Sequence, residues 1–423
     1  MPSNGQPPPS PVRKLRIAMY SHDTMGLGHM RRNLLLAQSF AADPVGASVL
    51  LIAGASEVNA LHLPDGVDCL SLPALQKSSA GDYSPRRLSM PLEELTHLRS
   101  ETIRAALAAF SPDVLIVDNI PRGAGGELDA TLKMLADDPL ARCVLGLRDI
   151  LDDPVTVNAQ WDEADNVGAI GQFYDAVWVY GDADLFDCVK QYGWPAGVAE
   201  KLSFTGYLDP RGRLVSQWLA EDSRLPGDFP QRFAACLCGG GQDGFEVAQA
   251  FLKCSLPDDM GGIVLAGPCM PSAELNQLRQ LAAANRRKLV WDFVPEADTL
   301  IAVADRIVAM GGYNTICSVV CHEKPALIVP RRSPRQEQSI RARCFAKRNL
   351  IDLVDANSDL TAEVSAWLRK EVRKTKVKGV GFNGLQRAAA LLQEVISQPR
   401  RNQPSNSASR DQLETTEKAH VGK

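Results

Sequence analysis

The sequence predicts an α/β protein built from two doubly wound, Rossmann-like domains that face one cleft. Short apolar runs of strand length alternate with amphipathic stretches of helix length, an order that favours parallel sheets with right-handed crossovers. The same order begins again after the Pro- and Gly-containing stretch 225–229. At 423 residues, the chain is too long for one ordinary domain and is long enough for two.

The strands of the first half are expected to be buried on both faces, because their apolar runs are nearly continuous. We predict them at residues 15–21, 48–54, 67–72, 113–118, 143–147 and 176–180. Helices are predicted between them, for example at residues 31–40 and 92–110. In the second half, strands are predicted at residues 233–238, 262–266, 288–291, 306–309 and 326–329, and a last helix at residues 383–397.

These elements divide the chain into a first domain at residues 12–205, a linker at 206–229 and a second domain at 230–397. The Pro-rich residues 1–11 and the polar residues 398–423 have no hydrophobic periodicity, so we expect both to be disordered. Open parallel sheets bind ligands beyond the carboxyl ends of their strands. Two such domains facing each other would therefore form one binding cleft.

The composition points to a cytoplasmic protein. Its 45% hydrophobic and 23% charged residues are typical of a soluble globular chain, and a net charge of −4 gives no reason to expect nucleic acid as a partner. The start MPSNGQPPPSPVRK has no apolar core, so we expect no secretory signal. No apolar run is long enough to span a bilayer, and peripheral contact with a membrane stays open.

The ten cysteines do not have the spacing of zinc ligands. Cys236 and Cys238 alternate in a strand-like run, so they point to opposite faces of a sheet. Cys317 and Cys321 lie four apart in a predicted helix. We expect reduced core thiols, with no structural disulfide, no metal and no cofactor.

A glycine turn follows the first predicted strand. Gly26 and Gly28 allow a tight strand-to-helix turn whose backbone could approach a phosphate or the acceptor, and His29 comes at the start of the next helix. The pattern is similar to G-x-G-x-x-G, although Arg31 occupies the third glycine position. Glu57 lies where a dinucleotide site would need an acid. A dinucleotide site therefore stays open as an alternative at this turn.

Two further glycine turns lie in the second half. Residues 238–244 (CGGGQDG) separate a predicted strand from a helix beginning near Phe245, and residues 310–315 (MGGYNT) precede a helix beginning near Thr315. Free N–H groups at such helix starts bind anions. Each could instead be a plain tight turn, but two of them in one domain suit a diphosphate. Residues 330–341 follow the next predicted strand, and Arg331 and Arg341 there could bind phosphate or acceptor groups. The alternative is that this cluster is a solvated basic turn.

These residues carry a family resemblance. GGGQDG at 239–244, Phe293-Val294 before an Asp-rich helix start, and MGGYNT…KPALIVPR…EQSIRA over 310–342 resemble the C-terminal domain of glycosyltransferase family 28, the family of MurG-like enzymes. The GLGH turn ending in His29 resembles its N-terminal half more weakly. The resemblance implies the GT-B fold and an inverting, metal-independent hexosyltransferase. The donor would be a nucleotide-diphosphate sugar, with UDP and an N-acetylhexosamine or hexose expected, and the acceptor an unknown hydroxyl on a glycan, a lipid-linked substrate or a small molecule.

The resemblance also implies donor-binding residues. It places Gly240, Gly241 and Gln242 at the pyrophosphate, Phe293 and Val294 at the nucleobase, Gly311, Gly312, Asn314 and Thr315 at the α-phosphate, and Glu337 and Gln338 at the sugar. The family has a glutamate for the ribose three residues after the position of Thr315, and this chain has Ser318 there. This difference leaves open a nucleotide-sugar-binding protein with weakened catalysis.

The catalytic candidates lie in the first half. An inverting transfer needs a base for the acceptor hydroxyl, and His29 is the first candidate because its pKa is ordinarily near neutral. His29 could equally hydrogen-bond the acceptor or a phosphate. Asp118 and Asp149 end two predicted strands, where cleft carboxylates are expected, although each could cap a helix. Residues 182–184 read D-x-D, but we expect them to cap a helix. A nucleotide-sugar epimerase on the same fold is the other alternative.

Overall fold

The structure is a computed structural model that describes residues 13–22, 28–54, 61–77, 83–213, 225–331, 333, 335–354, 358–371 and 379–398. The strands of its first half are β1 (Arg16–Ser21), β2 (Ser48–Ala53), β3 (Val67–Ser71), β4 (Leu75–Lys77), β5 (Tyr83–Pro85), β6 (Val114–Asp118), β7 (Arg142–Arg148), β8 (Ala176–Tyr180) and β9 (Leu202–Phe204). Seven of them form a parallel sheet in the order β3-β2-β1-β6-β7-β8-β9, and β4 and β5 form a separate antiparallel sheet of two strands.

The second half contains a parallel sheet of six strands. They are β10 (Arg232–Leu237), β11 (Met260–Leu265), β12 (Lys288–Trp291), β13 (Arg306–Ala309), β14 (Ala326–Ile328) and β15 (Asp352–Leu353). Their order is β12-β11-β10-β13-β14-β15. In both sheets the chain starts in the middle, winds to one side and then returns to the other, which is the doubly wound Rossmann-like order. The predicted fold class of two such domains is confirmed.

Helices connect the strands of both sheets. Those of the first half are α1 (Gly28–Ala41), α2 (Leu92–Phe110), α3 (Asp129–Asp137), α4 (Pro154–Glu163), α5 (Asn166–Phe173), α6 (Cys188–Tyr192) and α7 (Ala196–Ala199). Those of the second half are α8 (Phe245–Lys253), α9 (Ser272–Ala283), α10 (Ala297–Val303), α11 (Tyr313–Cys321), α12 (Glu337–Lys347), α13 (Leu360–Arg369) and α14 (Gly384–Ser397). Two short 3-10 turns lie at Ala124–Gly126 and Pro210–Arg213.

One hydrophobic core runs through both domains. Alternate residues of β1 point to opposite faces of its sheet, so Ile17 packs into this shared core and Ala18 into a separate core of the first domain. The second sheet repeats this arrangement, with Ala235 in the shared core and Cys236 in a separate core beneath α8 and α13. The two domains therefore share one apolar core, and helices α1, α11 and α14 make contacts between them.

The last helix joins the two domains. Although α14 follows the second sheet in the chain and was expected within the second domain, it packs against α1 and β8 of the first domain. The chain crosses back where Gly384 lies close to the backbone of Gly206 and Tyr207, and the N–H of Gly384 donates to the carbonyl of Tyr207 at 3.1 Å. Sequence periodicity gives the bounds of a helix but not the surface on which its apolar face packs.

Two expectations about single elements were wrong. Strand β3 was expected to be buried on both faces, but it is the edge strand of its sheet and most of its residues are partly exposed. Residues 182–184 were expected to cap a helix; instead, the N–H of Asp184 donates to the Asp182 carboxylate at 2.9 Å within a turn. The nearest helix, α6, is capped by Asp187.

Several sequence expectations concern residues outside the described part of the chain. The expected disorder of residues 1–11 and 399–423 lies there, as do Gly26 and Glu57. Gln398 is described, and its carbonyl accepts a hydrogen bond from Arg142 at 3.0 Å. No helix among the described residues has the length and apolarity needed to cross a membrane. Within the same residues, no group of three or more His, Cys, Asp or Glu side chains could hold a metal ion.

Candidate functional site

A cavity of about 590 Å³ lies between the two domains. It is bordered by His22, by the start of α1 at Gly28 and by the turn that follows β10. Strands β1 and β10 are the points where each sheet reverses its winding, and open α/β sheets bind ligands there. The first domain contributes His22, Gly28, His29, Arg31, Arg32, Leu35, Asn119, Ile120 and Arg148, and the linker contributes Leu208, Pro210 and Arg213. The second contributes residues 237–243, 296–298 and 312–315, together with Leu265, Gly267, Pro268, Phe293, Val294, Ile301, Met310, Cys317, Ser318, Arg331, Arg335, Glu337, Gln338 and Arg341.

The amino ends of two helices meet at this cavity. Helix α1 begins at Gly28 and α11 at Tyr313, and the side-chain amide of Asn314 donates to the carbonyl of Gly28 at 2.8 Å. The first N–H groups of a helix have no acceptor within it, and the helix dipole makes this end attractive to anions. The N-cap residue of α11 is Gly312, so no side chain at this position accepts hydrogen bonds from the first N–H groups of the helix. Both helix ends therefore favour a negatively charged ligand in the cavity.

The glycine turn after β10 forms another part of the wall. Gly241 has a φ of +100°, and a Cβ there would lie 2.6 Å from the carbonyl oxygen of Ala266 and 2.8 Å from the N–H nitrogen of Met270. Only glycine fits such a conformation and such close backbone packing. Among the described residues, the N–H groups of Gly240 and Gln242 have no hydrogen-bond acceptor. As predicted, α8 begins at Phe245, directly beyond this turn.

His29 is held at the cavity by a buried carboxylate. Its Nδ1 lies 2.5 Å from Oδ2 of Asp118, and its side chain is 20% exposed whereas that of Asp118 is 1% exposed. Arg32, one helical turn after His29, binds both carboxylate oxygens of Asp118 at 2.6 and 2.7 Å. Burial works against the charged form, but Arg32 and His29 hold the pKa of Asp118 well below its usual range. Asp118 is thus an ionised partner of His29, and it neither caps a helix nor lines the cavity.

Asp149 has a different position from the one predicted. It was expected as a cleft carboxylate, but it is buried and does not line the cavity. Arg341 from the second domain donates to it through Nε at 3.0 Å and a terminal nitrogen at 2.8 Å, and the hydroxyl of Tyr207 donates at 3.0 Å. Both oxygens are engaged, so Asp149 joins the domains and is not placed to take a proton from a substrate. Arg341 borders the cavity, but its guanidinium is engaged by this pair.

The residues expected at the donor sugar lie together at the start of α12. Glu337 forms an ion pair with Arg331, and its Oε2 is buried without a hydrogen-bond partner in the described part of the chain. Burial disfavours its charge, but the surrounding arginines, Arg148 foremost, lower the pKa of Glu337. Burial in turn lowers the pKa of Arg148 to about 10. This end of the cavity therefore offers both a carboxylate oxygen and guanidinium groups to a polar ligand.

Gln338 and Gly311 form part of the support behind the cavity. The side-chain oxygen of Gln338 accepts hydrogen bonds from the N–H of Gly311 at 3.1 Å and from that of Arg331 at 3.2 Å. Gly311 was expected to face the α-phosphate, but it does not line the cavity. Its N–H is engaged by Gln338 and its carbonyl by Arg341, so it is not placed to contact a ligand.

The residues expected at the nucleobase lie beside an arginine from the other domain. Phe293 and Val294 both line the cavity, and Val294 is 1% exposed. A terminal nitrogen of Arg31 donates to the carbonyls of Val294 at 3.2 Å and of Pro295 at 3.0 Å. Arg213, in the linker, forms an ion pair with Glu296 next to these residues. Arg31 of the first domain and Arg213 of the linker thus bring two cations to this end of the cavity.

Sequence reasoning missed several polar residues of the cavity wall. Arg32 carries a readable signal, because it lies one helical turn after His29 and therefore on the same face of α1. Asn119 directly follows Asp118 and has a φ of +73°, a conformation that asparagine tolerates better than most residues. Asp298 lies in the Asp-rich helix start noted in the sequence. Arg31 and Arg213 reach the site only through the packing of the two domains, which no local pattern predicts.

Comparisons with known proteins show the fold. No family model matches the chain, and no curated protein matches its sequence. The structure of UDP-GlcNAc 2-epimerase from Methanocaldococcus jannaschii is similar with a TM-score of 0.59 and 12% identity, covering 90% of this chain and 100% of that one. The structure of the glycotransferase of kitacinnamycin is similar with a TM-score of 0.53 and 16% identity, covering 91% of this chain and 100% of that one. Spinosyn forosaminyltransferase SpnP is similar with a TM-score of 0.53 and 14% identity, covering 95% of this chain and 99% of that one. The chain therefore has the GT-B fold.

Proposed function

We propose that this chain is an inverting, metal-independent glycosyltransferase that uses a nucleotide-diphosphate sugar. The observation that carries this proposal is the position of His29, whose imidazole is held by Asp118 at the cavity where the amino ends of α1 and α11 meet. A base beside two anion-binding helix ends is what a transfer from a diphosphate leaving group requires. Two of the similar structures, the glycotransferase of kitacinnamycin and SpnP, are of the same enzyme class.

The donor diphosphate would bind at the second domain. The N–H groups of Gly240 and Gln242 would contact one phosphate, and those of the first turn of α11, beginning at Tyr313, the other. As the bond between the sugar and the diphosphate breaks, negative charge grows on the leaving phosphate. Helix dipoles and the cation Arg331, which is paired with Asp243 at the glycine turn, would stabilise that charge, which is why the proposal needs no divalent metal.

His29 would act as the general base. With a proton on Nδ1 donated to Asp118, Nε2 keeps the lone pair that accepts the proton of an acceptor hydroxyl. The hydroxyl oxygen then attacks the anomeric carbon from the face opposite the leaving diphosphate, so the configuration inverts. Asp118, kept ionised by Arg32, would stabilise the imidazolium that forms. Asp118 is a positioning residue in this scheme, because it does not line the cavity.

The finer assignment rests on two further observations. The motifs of the second half resemble glycosyltransferase family 28, and one structural neighbour is named for UDP-GlcNAc. We therefore propose a UDP-linked N-acetylhexosamine or hexose as donor and a cytoplasmic reaction. Glu337, whose Oε2 has no partner among the described residues, would accept a hydrogen bond from a donor-sugar hydroxyl.

Product analysis tests the proposal directly. The purified chain is incubated with a panel of UDP-sugars in EDTA, with water or a set of hydroxyl acceptors, and the products are followed by NMR. We expect release of UDP and, from an α-linked donor, a β-configured first product. Interconversion of one UDP-sugar into another would replace the proposal with an epimerase. Binding without any turnover would assign the chain to nucleotide-sugar-binding proteins.

A further inference from the structure

Two residues at the same end of the cavity each contain a buried polar atom, one a hydrogen-bond acceptor and the other a donor. Oδ1 of Asp298 and Nε of Arg31 are both buried, and neither has a hydrogen-bond partner in the described part of the chain. Both residues line the cavity. An unpaired buried carboxylate oxygen costs free energy that a bound hydroxyl or N–H donor would recover. The ligand expected here must therefore donate at least one hydrogen bond to Asp298.

The position of Asp298 indicates which part of a nucleotide reaches it. Helix α10, which contains Asp298, packs against α11, and the carboxylate lies close to Ser318. Ser318 comes three residues after Thr315, so it lies on nearly the same face of α11 and ~4.5 Å further along the helix axis. A phosphate bound at the start of α11 would thus have its ribose beside Ser318 and Asp298. The sugar end of the donor would extend the other way, towards Glu337.

We propose that Asp298, together with Ser318, binds the ribose hydroxyls of the nucleotide. This inference rests on the proposed function, because it takes the start of α11 as the phosphate site. Ser318 alone offers one hydroxyl, whereas a vicinal diol presents two donors. The carboxylate of Asp298 supplies a second, charged acceptor beside the neutral hydroxyl of Ser318, and it comes from a different helix. The serine in the sequence therefore does not imply a weakened nucleotide site.

The surroundings of Asp298 fit this role. Burial raises the pKa of Asp298, while Ser318 and the guanidinium of Arg31 counteract part of the shift. Two donors from a diol would favour the ionised form further, because hydrogen bonds to a carboxylate stabilise its charge. Arg31 also fixes the neighbouring backbone by donating to the carbonyls of Val294 and Pro295. The first domain thus contributes one wall of the proposed ribose site.

The test compares UDP with 2′-deoxy-UDP and 3′-deoxy-UDP by calorimetric titration. We expect the unmodified chain to bind UDP about 10- to 100-fold more tightly than at least one deoxy analogue, the effect of one hydrogen bond to a charged group. In Asp298→Ala this ratio should fall towards one, and in Asp298→Asn, which keeps the shape of the side chain, it should fall part of the way. Because the ratio compares two ligands on one variant, it does not respond to a general loss of stability.

Glu246→Gln is the matched control. Glu246 also lies in the first turn of a helix of the second domain, but it is exposed and does not line the cavity. The preference of Glu246→Gln for UDP over each deoxy analogue should equal that of the unmodified chain. If UDP binds and Asp298→Ala keeps the full preference over both deoxy analogues, the ribose assignment is wrong. The assignment would also be overturned if Asp298→Ala loses a preference for uracil over other bases but keeps its relative affinities for UDP and the deoxy analogues. Failure of the unmodified chain to bind UDP would instead refute the proposed function.

Discussion

His29 shows how the fold can hold a single imidazole at the cavity in a fixed orientation. Its Nδ1 faces Asp118, which is buried and bound by Arg32, while the ring remains 20% exposed at the cavity. Exposure lets the ring meet a substrate, and the buried partner fixes its orientation. The glycine turn in the sequence predicted a histidine at the cleft. It did not predict the partner, because Asp118 lies 89 residues away and comes next to His29 only through the sheet.

Replacing His29 separates its two candidate roles. If His29 is the general base, His29→Ala should lower kcat by ~10²–10⁴ and leave donor affinity nearly unchanged. His29→Gln keeps hydrogen bonding but not basicity, so it should be as slow as His29→Ala. Steady-state kinetics with UDP release as the readout checks both variants. Recovery of most of the rate in His29→Gln would instead show that the imidazole only positions a substrate.

Gly312 offers a test of the proposed phosphate site with a matched control. Its φ of −64° is ordinary, and a Cβ there would meet only Thr315 Oγ1, at 3.9 Å. Gly312→Ala should therefore fold and bind UDP nearly as the unmodified chain does. Gly312→Asp puts a carboxylate at the start of α11 and should weaken UDP binding at least tenfold through repulsion of the phosphate. Equal affinities of the two variants in titration calorimetry would remove this turn from the site.

The glycine turn after β10 is the element most constrained by backbone packing. Gly239 and Gly241 both have positive φ values, +61° and +100°, but their surroundings differ. A Cβ at Gly239 meets nothing within 4 Å, whereas one at Gly241 runs into the backbone of the facing loop. The three adjacent glycines in the sequence predicted a special turn. They did not predict which glycine packs against the loop at Gly267, because that loop is distant in the chain.

This difference predicts unequal effects on stability. Gly239→Ala should lower the free energy of unfolding by about 1 kcal/mol, the usual effect of a side chain at a positive φ. Gly241→Ala should cost clearly more, because the backbone of the facing loop must move as well. Urea unfolding of the two variants measures the difference. Equal costs would mean that the interlocked loops are not rigid, and the N–H groups of Gly240 and Gln242 would then not be held in place for a phosphate.

The order of the elements could be predicted from the sequence, whereas their pairing could not. Alternation of strands and helices, with glycine turns at the strand ends, follows from local patterns, and the strands at Ala176–Tyr180, Lys288–Trp291 and Arg306–Ala309 have the predicted bounds. Short strands such as β9 and β15 were missed, since two or three residues carry no readable periodicity. The edge position of β3 and the docking of α14 depend on contacts between distant segments.

At the scale of the whole molecule, a buried ion pair joins the domains beside the cavity. Asp149 and Arg341 are each 1% exposed, and they belong to different domains. Strand-end position predicted where Asp149 lies in the sheet, but its partner is 192 residues away, so the pair could not be read from the sequence. Such a pair is costly to break, because removing one partner leaves a buried charge uncompensated.

Breaking this pair should destabilise the chain strongly. We expect Arg341→Met to cost about 3–5 kcal/mol in urea unfolding, and the double variant Arg341→Met with Asp149→Asn to recover part of that loss. Arg279→Met is the control, because its pair with Asp292 is about half exposed and should contribute little. If Arg341→Met and Arg279→Met unfold at the same urea concentration, Asp149 and Arg341 do not hold the domains together.

Binding of a nucleotide-diphosphate sugar without metal is the central claim, and a thermal shift in EDTA tests it most directly. A ligand at 100 times its Kd stabilises the folded chain by about 2.7 kcal/mol, which corresponds to a rise in Tm on the order of 5 °C. We predict this rise with a UDP-sugar in EDTA, and no rise with the same sugar lacking the nucleotide. An unchanged Tm at saturating UDP-sugar, or a rise that appears only when magnesium or manganese is added, would contradict the claim.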